Sequence, residues 1–310
     1  MNYIKGLVSV VIPTHNREDL LGRAVDSALA QTYQNIEIIV VSDGSEDRTD
    51  EIMKEYEQKN TNVKYISYHP GMGGNHARNE GIKAANGEWV AFLDDDDEWH
   101  TDKIARQIHA AKKDLKIGLV CTAINSVDDA TGKSSIYIPP APKDCSVEIL
   151  RGNCIGSTTT VMMKHDVLDK CGMFDEDLKA KQDFELWIRA CQFTKVACVR
   201  KPCVEYHNLV SNGQISWDYK KYADAAEYIS KKHKKLRKSK LSTKELKTIK
   251  YNDLLSVSRK AMKTENRSIC RAYARRALIS KIGIKPIVYI IASFFPLKII
   301  RIVIHKMGIR

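Results

Sequence analysis

Along the first hundred residues, short apolar runs alternate with segments whose apolar positions recur at helical spacing. The run at 7–12 is β-branched and closed by Pro13, the mark of a buried strand. Asn16 is placed to cap a helix in which Leu20, Leu21, Ala24, Val25, Ala28 and Leu29 share one face. A second strand is predicted at 36–41, ending in the turn cluster Ser42, Asp43, Gly44 and Ser45; Ile52, Met53 and Tyr56 then follow at helical spacing. A third strand is predicted at 63–68, after which a loop with Gly71, Gly73 and Gly74 opens a helix to about Ala85. The fourth, at 89–93, runs straight into four consecutive aspartates, Asp94 to Asp97. Strands alternating with helices of this length predict an α/β fold on a parallel sheet.

Beyond residue 122 the pattern loosens. Residues 127–142 hold three prolines and predict a loop or hairpin across the face of the sheet. A strand is expected at 158–163, and a helix at 183–193 with Leu186 and Ala190 on one side. From about Lys220 the chain reads as helices, without repeats.

Charge divides that picture. The 310 residues, 43% apolar, allow one large domain with an appendage and exclude wholesale disorder. Residues 1–219 hold 25 Lys/Arg against 33 Asp/Glu, a net of −8, whereas residues 220–310 hold 25 against 5, a net of +20. The expected division is therefore an acidic body, 1–219, and a basic tail, 220–310, seeking an anionic partner. The plain alternative for the tail is a solvated helical face. Its stretch 282–304 is strongly apolar, but Lys285, Pro286, Pro296, Lys298 and Arg301 interrupt it. The longest uncharged run, 286–297, has 12 residues, whereas a spanning helix needs roughly 20. Tyr289, Phe294 and Phe295 with flanking cations suit a segment lying in a membrane interface; the alternative is a buried helix completing the fold. The eight cysteines include no Cys-x-x-Cys pair, which argues against a zinc finger or a secreted disulfide framework. The apolar run at the start is too short for a signal peptide, so a reducing compartment is expected.

In an open α/β sheet, ligands gather at the carboxyl ends of the strands. Three of these ends are polar: Thr14-His15-Asn16, Ser42-Asp43-Gly44 and Asp94 to Asp97. Four adjacent carboxylates repel one another unless a cation or solvent relieves them. Alone, such a run is most often a solvated acidic turn. Its place between an apolar strand and Trp99 brings at least one carboxylate to the sheet edge, and hard oxygen ligands there suit Mn2+ or Mg2+. The loop at 71–74 lacks dinucleotide or Walker spacing and reads as a turn. Aromatics in the tail are not interleaved with bases in a nucleic-acid motif, so no nucleic acid is expected.

Five blocks in order carry a resemblance. Val-Ser-Val-Val-Ile-Pro-Thr-His-Asn-Arg at 8–17, Ile-Ile-Val-Val-Ser-Asp-Gly-Ser at 38–45, Ala-Arg-Asn-Glu-Gly-Ile at 77–82 and Phe-Leu-Asp-Asp-Asp-Asp-Glu-Trp at 92–99 come first. Phe174-Asp175, followed by Gln-Asp-Phe-Glu-Leu-Trp-Ile-Arg at 182–189, completes the set. Together they resemble the family 2 glycosyltransferases over about residues 7–190; residues 220–310 are not covered. The resemblance implies a GT-A fold, a Rossmann-like mixed sheet, here with a basic helical extension, and inverting, metal-dependent transfer from a nucleotide sugar. It implies that Asp43 accepts from the uracil ring, that Thr14 lines the same pocket and that Arg78 contacts the nucleotide. Asp94 and Asp95 fall among the nucleotide-sugar contacts, Asp94 facing ribose or metal, and Asp96 is the metal ligand. Asp183 matches the general base. His207 corresponds to a metal- or diphosphate-contacting His of some relatives, and the stretch at 211–216 to a flap. Ser42 replaces a frequent acid, Gln182 a Glu and Thr101 a Pro.

Read without the resemblance, Asp183 serves equally well as a helix N-cap, and a lone His such as His207 is more often structural. Relatives of this kind imply a UDP-sugar donor and an acceptor sugar on a polyprenyl-diphosphate lipid. The expected reaction adds a β-linked hexose, glucose before galactose, for O-antigen, capsule or exopolysaccharide. The expected place is peripheral, on an anionic surface at the cytoplasmic side of the bacterial inner membrane. The rival reading is a binding module, Rossmann-like, whose basic tail grips nucleic acid. A pure binder has no need of Asp94, Asp96 and Asp183 together.

Overall fold

The first half of the sheet is four parallel strands. β1 (Ile4–Thr14) pairs on one side with β2 (Ile36–Asp43), which pairs with β3 (Val63–Tyr68), and on the other side with β4 (Gly87–Phe92). Three helices return the chain: α1 (Glu18–Leu29), α2 (Thr49–Lys59) and α3 (Gly74–Ala84). Val8, Val10 to Ile12, Ile38 to Val41 and Val90 to Phe92 are all buried, because helices cover both faces of these strands. Helix α1 buries Leu21, Ala24, Val25 and Ala28 against them. Asn16 does not cap it. With φ at 52° it turns its side chain away, and its Oδ1 accepts from the Glu46 amide at 2.8 Å, so Arg17 precedes the helix uncapped.

This computed structural model describes residues 3–128, 132–208 and 218–295, and the chain divides into two compact units. The first comprises Met1–Asp177 with Gln182–Val210, the second Leu178–Lys181 with Ser211–Arg310.

The rest of the first unit turns the sheet mixed. β5 (Glu98–Trp99), α4 (Lys103–Ala111), β6 (Ile117–Asp128) and β7 (Lys133–Tyr137) come next. After them stand α5 (Glu148–Arg151), a 3₁₀ turn at Thr158–Thr160, β8 (Met162–Lys164), α6 (His165–Cys171), α7 (Gln182–Ala190) and β9 (Lys195–Asn208). The strand order is β3-β2-β1-β4-β8-β6-β9-β5, with β7 paired to β6 as a hairpin. β8 runs antiparallel to β4 and β6, and β5 antiparallel to β9. The wholly parallel sheet is thus corrected to the mixed one that the resemblance implies. The strand expected at 158–163 is half 3₁₀ turn, at Thr158–Thr160, and only Met162 and Met163 of it lie in β8. β9 interrupts its own alternation at Arg200, Lys201 and Pro202, which a register shift against β6 absorbs between Val199 and Pro202.

Within the first four strands the order reverses about β1 and β4. Their carboxyl ends therefore flank the switch point where such sheets bind ligands.

The second unit is helical: α8 (Tyr219–Lys232), α9 (Lys234–Lys240), α10 (Thr243–Lys263), α11 (Arg267–Ser280) and α12 (Ile284–Ala292). Asp218 caps α8, a Ser242–Glu245 capping box starts α10, and Asn266 caps α11. Ala261, Met262, Cys270, Ala274, Tyr289 and Ala292 form one of its cores. Among the described residues no helix is long and apolar enough to cross a membrane. The expected flap at 211–216, and the apolar stretch beyond Phe295, lie outside the described residues.

Candidate active site

The loops after β1, β2 and β3 are tied to one another before anything binds. Asp43 is buried at the end of β2. Its Oδ1 accepts from the Tyr68 hydroxyl at 2.9 Å and the Met72 amide at 2.6 Å, and its Oδ2 from the Gly73 amide at 2.7 Å. A carboxylate oxygen takes two donors, so Oδ2 has room for another. Burial, then the bond to Asp43, pushes the Tyr68 phenol well above its ordinary range and keeps it a donor. His15 Nδ1 donates to the Asp43 carbonyl at 2.7 Å, and the Asn16 amide to Ser45 Oγ at 3.0 Å. The backbones touch at Gly44 and Gly71. A Cβ on Gly44, where φ is +70°, would lie 2.5 Å from the Gly71 nitrogen, and one on Gly71 would lie 2.6 Å from the Asp43 carbonyl oxygen. The loop read from sequence as a plain turn thus supplies two amides to Asp43.

The acidic run follows β4 as a turn, closed by the Asp97 amide donating to the Asp94 carbonyl at 3.1 Å. Asp94 Oδ1 accepts from Arg78 Nη2 at 2.7 Å. Asp96 Oδ2 stands 3.6 Å from Arg17 Nη1, and Arg23 Nη2 donates to the Asp96 carbonyl at 2.7 Å. Burial, then the charge of Asp96, raises the Asp95 carboxyl to about 7, against the pull of the Thr14 hydroxyl and Arg17. Asp97 is fully buried; burial, Asp94 and Asp96 raise it well above the carboxylate range, while the Thr159 hydroxyl and the His207 amide oppose this. His207, opposite Val127 on β6, therefore reaches the acidic turn through its main chain. Among the described residues, no three His, Cys, Asp or Glu side chains converge into a ready cation cage.

Asp183 lies within the first turn of α7 rather than capping it. Its Oδ1 accepts from the Phe184 amide at 2.7 Å, and Asn153 Nδ2 stands 3.5 Å from its Oδ2. Asn153 Nδ2 and Trp187 Nε1 both donate to the Gly156 carbonyl, at 3.1 Å each. That carbonyl precedes the 3₁₀ turn whose Thr159 faces Asp97, so hydrogen bonds and chain connect the two carboxylate positions.

The structure also brings in residues that sequence reasoning did not single out. Asn79 accepts from the Phe174 amide at 2.9 Å and donates to the Phe174 carbonyl at 3.0 Å and Glu176 at 2.7 Å; Asn75 donates to the Asp175 carbonyl at 2.7 Å. Helix α3 thereby clamps the 174–176 segment and carries Arg78 to the acidic turn. On α7, buried Glu185 pairs with Arg189 at 2.8 Å. Arg189 also donates to the carbonyls of Cys171, Gly172 and Met173, a brace rather than a reactive pair.

Known proteins share this architecture. A glycosyltransferase of Rickettsia typhi, itself uncharacterised, is 35% identical over 202 residues, 63% of this chain and 62% of the relative. The match thus spans less than two thirds of that relative's length. The putative teichuronic acid biosynthesis glycosyltransferase TuaG of Bacillus subtilis is 27% identical over 217 residues, 70% of this chain and 84% of TuaG. Among solved structures, S. aureus TarS 1–349 in complex with UDP superposes with a TM-score of 0.58 at 19% identity, covering 92% of this chain and 89% of that one. A mannosyltransferase of Pyrobaculum calidifontis in complex with GDP-Man and Mn2+ gives 0.59 at 16%, covering 90% and 76%. At such identities these two share the fold. The sequence model of glycosyl transferase family 2 matches residues 9–172, which leaves Asp183 and His207 outside. That match covers more than half of the 310 residues and takes in the first eight strands, the Asp43 pocket and the acidic turn; the chain belongs to glycosyl transferase family 2.

Proposed function

We propose that this chain transfers a hexose, glucose before galactose, from a UDP-sugar to a sugar on a polyprenyl-diphosphate lipid. The transfer inverts the anomeric centre to give a β-glycosidic bond. It belongs to bacterial polysaccharide assembly of the O-antigen, capsule or exopolysaccharide kind, at the cytoplasmic side of the inner membrane. In this reading residues 1–219 form the catalytic domain and residues 220–310 the basic tail. The name of TuaG and the UDP bound by TarS support the substrate class.

One observation carries the reading: the Asp43 pocket and the acidic turn stand at the carboxyl ends of β2 and β4, on either side of β1, while Asp183 offers a second carboxylate on another element. Asp43 Oδ2 accepts the uracil N–H, and Thr14 lines that pocket. Arg78, Asp94 and Asp95 contact the nucleotide sugar. The acidic turn fits a divalent cation, because burial and the crowding of like charges raise Asp95 and Asp97, a cost of ionisation that a bound cation relieves. Asp96, assisted by His207, would hold Mn2+ or Mg2+ together with the diphosphate oxygens, the usual ligand mix for these ions. When bound, the cation neutralises charge on the departing diphosphate. Asp183 Oδ2 takes the proton of the acceptor hydroxyl as it attacks the anomeric carbon. The Mn2+ of the Pyrobaculum mannosyltransferase supports the metal assignment.

The test supplies UDP-glucose and UDP-galactose, with and without divalent metal, together with a synthetic lipid-diphosphate sugar. Metal-dependent UDP release with a β-linked product by NMR is expected. An α-linked product, or no release from any nucleotide sugar, overturns the reading.

A further inference from the structure

We propose that the outward face of α12 is a docking surface for an anionic lipid bilayer. This deepens the reading above by naming the surface that meets the membrane, and it rests only on the lipid part of that reading. A helix packed on a core ordinarily turns a polar side to water. Helix α12 does not. Pro286, Tyr289 and Ala292 are buried on its inner side. Ile284, Ile287 and Ile291, at helical spacing, form an exposed stripe that Phe294 prolongs. Beside it, Ile279 at the end of α11 and Ile282 in the connection are 86% and 89% exposed. An apolar surface of this extent marks an interaction site.

Charge selects the occupant. From Asn266 to Arg310 the chain carries ten Lys/Arg and no Asp/Glu. Arg275, Arg276, Lys281 and Lys285 are exposed, and the Arg271 guanidinium lies 4.9 Å from the centre of the Phe294 ring. An apolar stripe rimmed by cations alone is the pattern of a helix lying in an anionic interface, its isoleucines among the acyl chains and its cations at the headgroups. A second copy of this chain would set Arg275, Arg276, Lys281 and Lys285 against the same like charges. Among the described residues no helix is long and apolar enough to cross a bilayer; the proposed docking face meets it in the plane of the interface.

The full chain is sedimented with phosphatidylcholine vesicles, either pure or containing about one third phosphatidylglycerol, without sugar donor or acceptor. Failure here is therefore distinguishable from failure of the transfer reaction. Binding is expected on the anionic vesicles, weakened at high salt. The double variant Ile287→Glu/Ile291→Glu should weaken it at least about tenfold with an unchanged thermal midpoint, because both side chains already face water. Arg275→Glu/Arg276→Glu should weaken it on anionic vesicles only. Unchanged partitioning of the isoleucine variant overturns the proposal. So does a lowered midpoint without loss of binding, which would mean that other residues of the chain cover the face. A dimer dissolved by the same variant would assign the face to a second copy and overturn it equally.

Discussion

The acidic turn and Asp183 are both carboxylate positions of the first unit, yet they are built on opposite principles. In the turn four carboxylates crowd together: Asp97 is sealed inside, Asp95 is raised to about 7, and Arg78 and Arg17 stand against Asp94 and Asp96. Arg23 adds a bond to the turn's main chain. Such bracing holds negative charge in place and leaves little freedom to rearrange. Asp183 is partly exposed on a helix, bonded to the amide of its own neighbour, with Asn153 at 3.5 Å. The contrast teaches a division of labour: crowded and braced carboxylates suit holding a cation and a diphosphate, whereas a partly exposed carboxylate on a helix suits taking a proton.

The largest expected effect breaks that comparison at Asp183. Asp183→Asn should lower turnover by about two to four orders of magnitude, the worth of a positioned base, while UDP affinity stays near normal. Single-turnover kinetics with calorimetry of UDP binding checks both halves, and near-normal turnover would remove Asp183 from the chemistry. The next effect falls on the other side. Asp96→Ala should lower metal-dependent UDP affinity at least about tenfold, because the cation loses its protein anchor. Equal affinity in wild type and variant would move the metal elsewhere.

How much of this was legible in the sequence follows from burial. β3 lies where its run predicts, β1 and β2 contain theirs, and β4 holds all of its run but Leu93; β1, β2 and β4 were legible because strands covered on both faces read as continuous apolar blocks. β9 escaped, since Arg200, Lys201 and Pro202 break its pattern and only pairing with β6 makes it a strand. The carboxylates were legible because each follows an apolar strand or opens a helical segment. Their partners were not: Arg23 reaches Asp96 across 73 positions, and Asn79 reaches Phe174 across 95. Such contacts leave no local pattern. Within the block that resembles the catalytic one, Glu185 and Arg189 hold a turn together.

The smallest expected effect concerns the support behind the acidic turn. Lys103 opens α4 wholly buried, its Nζ 3.7 Å from the centre of the Trp99 ring and donating to Gln107 Oε1 at 2.9 Å. Trp99 Nε1 donates in turn to the carbonyl of Thr159, whose hydroxyl faces Asp97. Burial lowers the Lys103 ammonium from 10.5 to about 7, although Cys203 opposes the shift. The ring face also favours the charged form. Between about 7 and 10.5 the unfolded chain therefore binds more protons at this position than the folded one, and stability rises with pH across that window. Below it both states carry the charge, and the cost of burying it is fully present. Lys103→Met removes that cost but leaves Gln107 Oε1 without its donor. The net expectation is a gain of about 1–3 kcal/mol at pH 7, shrinking as pH approaches 10. Thermal melts of both proteins from pH 6 to 10 check it. A difference that does not change with pH would mean that Lys103 keeps its proton throughout and that the aromatic ring and Gln107 outweigh its burial.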